Sequence, residues 1–400
     1  MNEDMDLLRP LKVADLPPSN VDLRQAVRAG RRRERFRNVA LGGATVVAVL
    51  ATVVVIDRVA GVSHSTPGSD ASAAPSGSVR PSTGVTFPPA PTSPELGTCT
   101  FTDLVLPGIG GTSTATDPSG QIIVGTEKNE GSSAFIRIKN GKQERITGAP
   151  GGAAFVTAVN RSGDFLGGAN GQIVYVYSGN TFATVPWPAG AMISASDLND
   201  RGDVLIVVFR NGAAGPEKRA AVWPANRPAE LKQLSTPEGW SSYATGISND
   251  GTVAGFLERN INPETVPVNP ETVPVLWAPD GTRRQLPLPD GVSNPIMTDL
   301  NGDWVLARNV RWNLKTGSAE VITGLWGEKI DKFGRVYGEQ PNIAPPHPAV
   351  WINGTITMLP VDPQRPLGMM GDVSEDGTRI TSVLQANNPP NPRPVVWTCR

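Results

Sequence analysis

Apolar and polar positions along residues 98–400 follow a pattern that recurs seven times. Each copy has a short apolar stretch, a polar turn that contains Gly, and a second short apolar stretch, as in "ISNDGTVAGF" at 247–256. Short apolar runs on either side of such a turn predict two strands joined tightly, with Gly supplying the positive φ. The seven turn glycines are Gly120, Gly163, Gly202, Gly251, Gly302, Gly334 and Gly377.

A second hairpin follows the first in most copies, and it is clearest in "PVLWAPDGTRRQLPLP" (274–289) and "PAVWINGTITMLP" (348–360). Each unit therefore has four strands, which we call A to D. Successive turn glycines lie 32 to 51 residues apart. This period, with four strands per copy, is typical of propeller blades. The sequence predicts an all-β fold, a seven-bladed β-propeller over residues 98–400.

The seventh copy ends at its strand C, "PVVWTC" (394–399), and the missing strand D stands ahead of the first copy as "TCTFTDLVLP" (98–107). We expect this front segment to complete the last blade and remove an open sheet edge. The only two cysteines, Cys99 and Cys399, would then meet where the hairpin turn is absent. The prediction is a disulfide between them, which is consistent with an oxidising exterior.

Residues 39–56 form an apolar run of eighteen residues without a charge. This length is just enough to cross a bilayer, and it predicts a transmembrane helix at 39–58. Seven arginines lie between residues 24 and 37. The positive-inside rule then places the N-terminus in the cytoplasm and the propeller outside. A cleaved signal peptide is the alternative, but the leader and the apolar run are both longer than usual for one.

Residues 59–97 are rich in Ser, Thr, Pro, Gly and Ala, a composition that cannot bury a core and predicts a disordered stalk. The expected organisation is a cytoplasmic basic tail (1–38), a transmembrane helix (39–58), a linker (59–97) and the propeller (98–400). The chain is thus predicted to be a single-pass protein of the cell membrane, which it enters through residues 39–56.

The repeat resembles the HAF family of extracellular repeats, in which an Asn-Asp/Arg-Gly turn precedes a strand that contains Trp. The residues that carry the likeness are Asn199, Asp200, Arg201, Gly202, Asn249, Asp250, Gly251, Trp223, Trp277, Trp351 and Trp397. The match covers most of 116–398 and is degenerate in the first, second and fifth copies. It implies a bacterial β-propeller, extracellular or anchored, with no settled activity. The cytoplasmic tail is similar to leaders of anchored proteins from high-GC Gram-positive bacteria.

The turn sequences can also be compared with the repeats of two other propeller families. The "S-x-D-G" turns are also similar to repeats of the TolB type. They depart from the sialidase Asp box, which has a residue between Asp and Gly. The likeness therefore does not favour a sialidase.

Composition and motifs argue against several classes of activity and partner but do not identify the function. The net charge of −1 gives no reason to expect a nucleic-acid partner. The sequence has no zinc-protease, esterase or phosphate-loop motif, so we predict no catalytic residues, no metal and no cofactor. Paired carboxylates gathered from different blades stay open, because sequence spacing cannot detect them.

Three tryptophans stand outside the blade pattern, in the connections between strand D and the next strand A. They are Trp187, Trp240 and Trp326. Aromatic side chains in the loops of one face suit stacking on a sugar or gripping a peptide, whereas anchoring of the loops is the plainer role. The predicted function is a binding module for a cell-wall glycan or an extracytoplasmic protein. The alternative is a polysaccharide hydrolase or lyase with carboxylates at the propeller channel.

Overall fold

A computed structural model describes residues 85–104, 114–129, 132–169, 173–187, 190–212, 215–227, 229–259, 271–341, 346–365, 367–385 and 393–400. The described residues fold into seven antiparallel four-stranded sheets, which confirms the seven-bladed β-propeller. The predicted tail and transmembrane helix lie outside these residues and stay predictions. Among the described residues, no helix is long and apolar enough to cross a bilayer.

Twenty-eight strands build the described sheets, and four consecutive strands make each of the first six blades. Blades 1 to 3 follow strand β1 (Cys99–Asp103) and comprise β2 (Thr114–Thr116), β3 (Ile122–Asn129), β4 (Ser132–Lys139), β5 (Lys142–Ile146), β6 (Phe155–Val159), β7 (Phe165–Ala169), β8 (Ile173–Ser178), β9 (Thr181–Thr184), β10 (Met192–Leu198), β11 (Val204–Gly212), β12 (Gly215–Trp223) and β13 (Lys232–Gln233). Blades 4 to 7 comprise β14 (Trp240–Ile247), β15 (Val253–Arg259), β16 (Thr272–Trp277), β17 (Arg283–Gln285), β18 (Met297–Asn301), β19 (Trp304–Ala307), β20 (Val310–Asn313), β21 (Ala319–Val321), β22 (Trp326–Ile330), β23 (Val336–Glu339), β24 (Pro348–Ile352), β25 (Thr355–Met358), β26 (Leu367–Val373), β27 (Arg379–Gln385) and β28 (Arg393–Cys399).

The seventh blade is completed by the front of the chain, as predicted. Its strand order is β26-β27-β28-β1, and β1 pairs antiparallel to β28 in a register that sets Cys99 opposite Cys399. The two cysteines form a disulfide across a sequence separation of 300 residues. This bond stands in the position that the C–D turn occupies in the other blades, so the ring is closed by both sheet pairing and sulfur.

Antiparallel pairing places the ends of every blade on two opposite faces. The A–B and C–D turns share one face, here called the turn face, and the B–C and D–A connections share the other, the loop face. Strand A, the first strand of each blade, lines the central channel. Bulges interrupt strand A in blades 2 to 7, and each adds a residue that has no partner in strand B.

The strand-C tryptophans pack between blades, as their once-per-blade spacing predicted. Trp277, Trp351 and Trp397 are almost completely buried. The indole N–H groups of Trp277, Trp312 and Trp397 each donate to a carbonyl of the preceding blade, at 2.7–2.8 Å. Burial of the large ring and satisfaction of its one donor together join neighbouring blades.

The end of the predicted linker lies against the turn face. Ser93 is buried: its backbone N–H donates to Asn353 Oδ1 at 2.9 Å, and its hydroxyl donates to the Phe333 carbonyl at 2.8 Å. Arg311 Nη1 donates to the same hydroxyl at 3.1 Å. Ala90 packs against the core between blades 5 and 6 and Leu96 against that between blades 6 and 7. Residues 85–97 therefore form a strap across three blades.

Replacing Ser93 with Ala is expected to lower the free energy of unfolding by about 1–3 kcal/mol, because the buried Arg311 donor and the Phe333 carbonyl each lose a partner. Urea unfolding of the full chain measures this. Thr92→Ala, at the exposed neighbouring residue, is the matched control and should change little. Equal stability of the two variants would show that the Ser93 hydroxyl adds nothing to the stability of the propeller.

Candidate functional site

The three tryptophans named from the sequence all lie at the loop face. Trp187 is in the D–A connection before blade 3, and Trp240 and Trp326 are the first residues of β14 and β22. All three side chains are partly buried. Their surroundings differ, and this difference separates them as candidates.

Trp187 serves the packing of blades 2 and 3. It lies against the hydrophobic cluster that those blades share. It also lines a cavity of about 370 Å³ with Pro186, Val208 and Leu231 among its neighbours. This surrounding agrees with the loop-anchoring role considered from the sequence.

Trp240 lies beside charges that are already paired. The Arg259 guanidinium stands 5.3 Å from the centre of its ring and forms an ion pair with Glu271, at 3.1 Å. Arg219 donates to the Trp240 carbonyl at 3.3 Å. The cation at this ring is therefore paired, and Trp240 is a useful reference for the third tryptophan.

Trp326 lies at the junction of blades 5 and 6, on the inner strand next to the channel. It pairs directly with Glu339, the last residue of β23, so the two side chains lie on the same face of the sheet. Arg308, which follows β19 of blade 5, places its guanidinium 5.4 Å from the Trp326 ring centre. Its carbonyl accepts a hydrogen bond from the Gly327 N–H at 2.7 Å, which fixes the two blades to each other here.

Glu328 completes this group. It is the residue that the strand-A bulge of blade 6 inserts between Gly327 and Lys329. We call Trp326, Glu328, Glu339 and Arg308 the mouth site, since they lie where the channel opens on the loop face.

Both carboxyl groups of the mouth site have displaced pKa values. Burial raises the pKa of Glu328 to about 7, against the opposing effects of Arg308 and Lys329. Burial and then the neighbouring Glu328 charge raise the pKa of Glu339 to about 8, although Arg308 opposes both. Burial also lowers the pKa of Arg308. Two carboxyl groups in one low-polarity site share protons near neutral pH.

The charged groups of the mouth site have hydrogen-bonding and ion-pairing capacity that no described residue uses. Within the described ranges, the carboxylates of Glu328 and Glu339 accept no hydrogen bond, and the Arg308 guanidinium makes no ion pair at 4.0 Å or less. Partly buried charged groups usually have such partners. Their free capacity is thus available to water or to a bound molecule.

A second group of charges lies next to the mouth site, further along the inner strands of blades 3, 5, 6 and 7. Lys329 Nζ stands 3.2 Å from Asp372 Oδ1 and 4.0 Å from Asp299 Oδ1. Asp197 interacts with the same ammonium. We call these four residues the channel cluster. Burial alone would lower the pKa of Lys329, but the three carboxylates together raise it above its ordinary value.

The channel cluster is structural. Each aspartate also accepts a backbone N–H from the next blade, namely that of Ile247, Ile330 or Thr116, at 2.8, 2.8 and 3.4 Å. Its carboxylates therefore bridge the junctions between blades 3 and 4, 5 and 6, and 7 and 1. Burial raises the pKa of Asp197 to about 6.

The turns of several blades are joined at the turn face. Arg161 of blade 2 pairs with Asp200 of blade 3 and with Glu375 of blade 7. The Glu375 N–H donates to the Pro118 carbonyl at 2.7 Å, and its carbonyl accepts from the Lys332 N–H at 2.8 Å. Asp200 and Glu375 thus join turns of different blades at this face. In the described part of the chain, no group of three or more His, Cys, Asp or Glu side chains is placed to hold a metal ion.

The sequence pointed to Trp326 but missed its charged neighbours. Glu328, Glu339 and Arg308 come from three different strand positions, so no spacing links them. One signal was present. The bulged residue of strand A is Thr157, Ser196, Thr245 and Thr298 in blades 2 to 5, and Glu328 in blade 6. Among blades 2 to 6, a large acidic residue at a position otherwise held by small hydroxyl residues marks the site.

Comparison with known proteins adds no family to this picture. The seven blades, the repeat and the disulfide rest on the structure alone, and the resemblance to HAF repeats stays a resemblance. No family model matches the chain, and no curated protein is significantly similar to it.

Proposed function

We propose that the propeller is a glycan-binding module whose ligand lies at the mouth site. The single observation that supports this most strongly is the group itself: an aromatic ring, two carboxyl groups and a guanidinium with unmet hydrogen-bonding capacity. Sugars are bound in proteins by stacking on an aromatic ring and by hydrogen bonds from their hydroxyls to such planar polar groups. Of the partners considered from the sequence, a glycan fits this set better than a protein does.

The proposal includes a location, the cell surface. Residues 39–56 would anchor the chain, with the N-terminus in the cytoplasm and the propeller outside. The strap enters the propeller on the turn face, opposite the mouth site. In that arrangement the mouth site would be directed away from the entering chain, where a cell-wall polymer is within reach.

A glycoside hydrolase is the second candidate, and the two displaced carboxyl pKa values favour it. Hydrolysis of a glycosidic bond uses a pair of carboxyl groups, one protonated as the acid and one ionised. Glu339 would be the acid and Glu328 the ionised partner at neutral pH. Incubation of the ligand with the protein, followed by assay for new reducing ends, separates this candidate from binding alone. Release that stops in both Glu328→Gln and Glu339→Gln is the result expected of an enzyme.

The binding proposal predicts that Trp326→Ala weakens glycan binding by at least about tenfold, as loss of a central aromatic contact does. Trp240→Ala is the matched control, because it removes the same ring from the same face. Pull-down of the full-length chain on peptidoglycan and on insoluble cell-wall polysaccharide provides the measurement. Glu339→Gln, which keeps the shape of the side chain, should weaken binding as well.

Loss of binding in Trp240→Ala but not in Trp326→Ala would move the site to blade 4. Unchanged binding in both variants and in Glu339→Gln would remove the proposal.

A further inference from the structure

The inner strands of the propeller carry a strongly unequal set of charges. Across the seven strands A, the acidic residues are Asp197, Asp299, Glu328 and Asp372, and the single basic residue is Lys329. Four acids and one base give the channel lining a formal charge of −3 when all are ionised. At the mouth, Arg308 adds one positive charge, and Glu339 offsets it only when ionised; near pH 7 the raised pKa of Glu339 keeps it largely protonated, so the formal sum is then −2.

Three described cations on the loop face of blades 3 and 4 are paired and do not offset this charge. On blades 3 and 4, Lys218 lies 3.7 Å from Glu258, Arg259 lies 3.1 Å from Glu271, and Arg219 pairs with Glu217. Each of these cations is matched by an acid. The negative potential of the channel therefore reaches the mouth, where low-polarity walls strengthen it.

We infer that the glycan bound at the mouth site carries protonated amines, as a deacetylated amino sugar does, with one ammonium group directed to Glu328 above the channel cluster. This inference rests on the proposed function and specifies its ligand. Glu328 is the only acidic residue of the inner strands that belongs to the mouth site, and its carboxylate accepts no hydrogen bond from the described residues. Polymers of uronic acids or of phosphodiesters would be repelled by the same field.

Two oligosaccharides that differ only at nitrogen test the inference. Glucosamine oligomers carry ammonium groups, and N-acetylglucosamine oligomers of the same length carry neutral acetamides. Titration calorimetry of the full-length chain at low salt and at pH 7, where the Glu328 carboxyl is partly ionised, is expected to show about tenfold tighter binding of the glucosamine oligomer. High salt should reduce this ratio, because screening weakens the attraction.

Variants assign the preference to the mouth site. Glu328→Gln is expected to bring the ratio of the two affinities close to one, whereas Glu339→Gln should leave the preference for the glucosamine oligomer in place. Glu271→Gln removes one negative charge from the same face and should leave the ratio unchanged.

The outcomes separate this inference from the proposed function. If the acetylated oligomer binds equally well or better and Trp326→Ala still weakens it, the ammonium inference is wrong and glycan binding stands. If neither oligomer binds, both are wrong. A ratio that persists in Glu328→Gln overturns the assignment to Glu328.

Discussion

Replacing Lys329 with Met is expected to lower the free energy of unfolding by about 3–5 kcal/mol at pH 8. The substitution keeps the length and the apolar stem of the side chain but removes the one cation of the channel cluster. Asp197, Asp299 and Asp372 would then face one another without a counter-charge. Because these aspartates also bridge three blade junctions, their repulsion acts on the whole ring.

The loss should depend on pH in a defined direction. The pKa of Lys329 is raised above its ordinary value, so its contribution to stability is fully present below that ordinary value and is lost only at strongly alkaline pH. In the variant, Asp197 gains a proton as the pH falls below about 6, its pKa in the intact cluster, and the repulsion declines. Chemical unfolding should therefore show a smaller loss at pH 4.5 than at pH 8. Lys315→Met, at an exposed turn of blade 5, is the control. A loss that is the same at both pH values would contradict the electrostatic account.

Replacing Glu339 with Gln is expected to stabilise the protein at pH 9, by on the order of 3 kcal/mol. Folding holds the pKa of Glu328 at about 7 and that of Glu339 at about 8, both above the ordinary value of 4.5. Between about pH 4.5 and pH 8, the folded state therefore binds more protons than the unfolded state. Its stability falls as the pH rises through this window, and the penalty is complete above pH 8.

The comparison of two pH values isolates this effect. Glu339→Gln removes one buried negative charge and relieves Glu328 of its neighbour, so the stabilisation should be large at pH 9 and small at pH 5. Glu271→Gln, at the exposed ion pair beside Trp240, should be without effect at either pH. If Glu339→Gln is no more stable than the parent at pH 9, the two carboxyl groups are not held in a costly state.

If Glu339→Gln stabilises the protein, this result would also support a functional role for the mouth-site carboxyl groups. Buried carboxyl groups whose ionisation costs stability are found where a ligand or a reaction uses them. The channel cluster is the contrasting case, since its carboxylates are satisfied by Lys329 and by backbone N–H groups. The channel cluster and the mouth site thus differ in one respect. The carboxylates of the channel cluster have ion-pair and hydrogen-bond partners in the described protein, and those of the mouth site have no hydrogen-bond donor there.

Much of the architecture could be predicted from the sequence because it is repeated. Seven Gly turns, one Trp on most strands C and the displaced strand D at Cys99 specify blade number and closure. The strap was not predicted, because its Ser- and Pro-rich composition gives no sign that Ser93 would be buried. Within the strand predicted at 98–107, β1 spans Cys99–Asp103, and residues 105–107 lie outside the described residues.

The candidate site was predictable only in part. Trp326 stood out because it breaks the blade pattern, but Trp187 and Trp240 did so equally. What separates them is whether nearby charges are paired, and that depends on contacts between blades. Arg308 and Glu339 are ordinary loop-end residues in the sequence, and they meet only because blades 5 and 6 pack side by side.

The most direct test of the central claim is a crystal structure of the disulfide-bonded protein with a bound glucosamine oligomer. We expect a sugar ring against Trp326, with its polar groups within hydrogen-bonding distance of Glu328 or Glu339. A sugar bound at the Trp187 cavity, beside Trp240 or on the turn face, with the mouth site left to water, would contradict the claim.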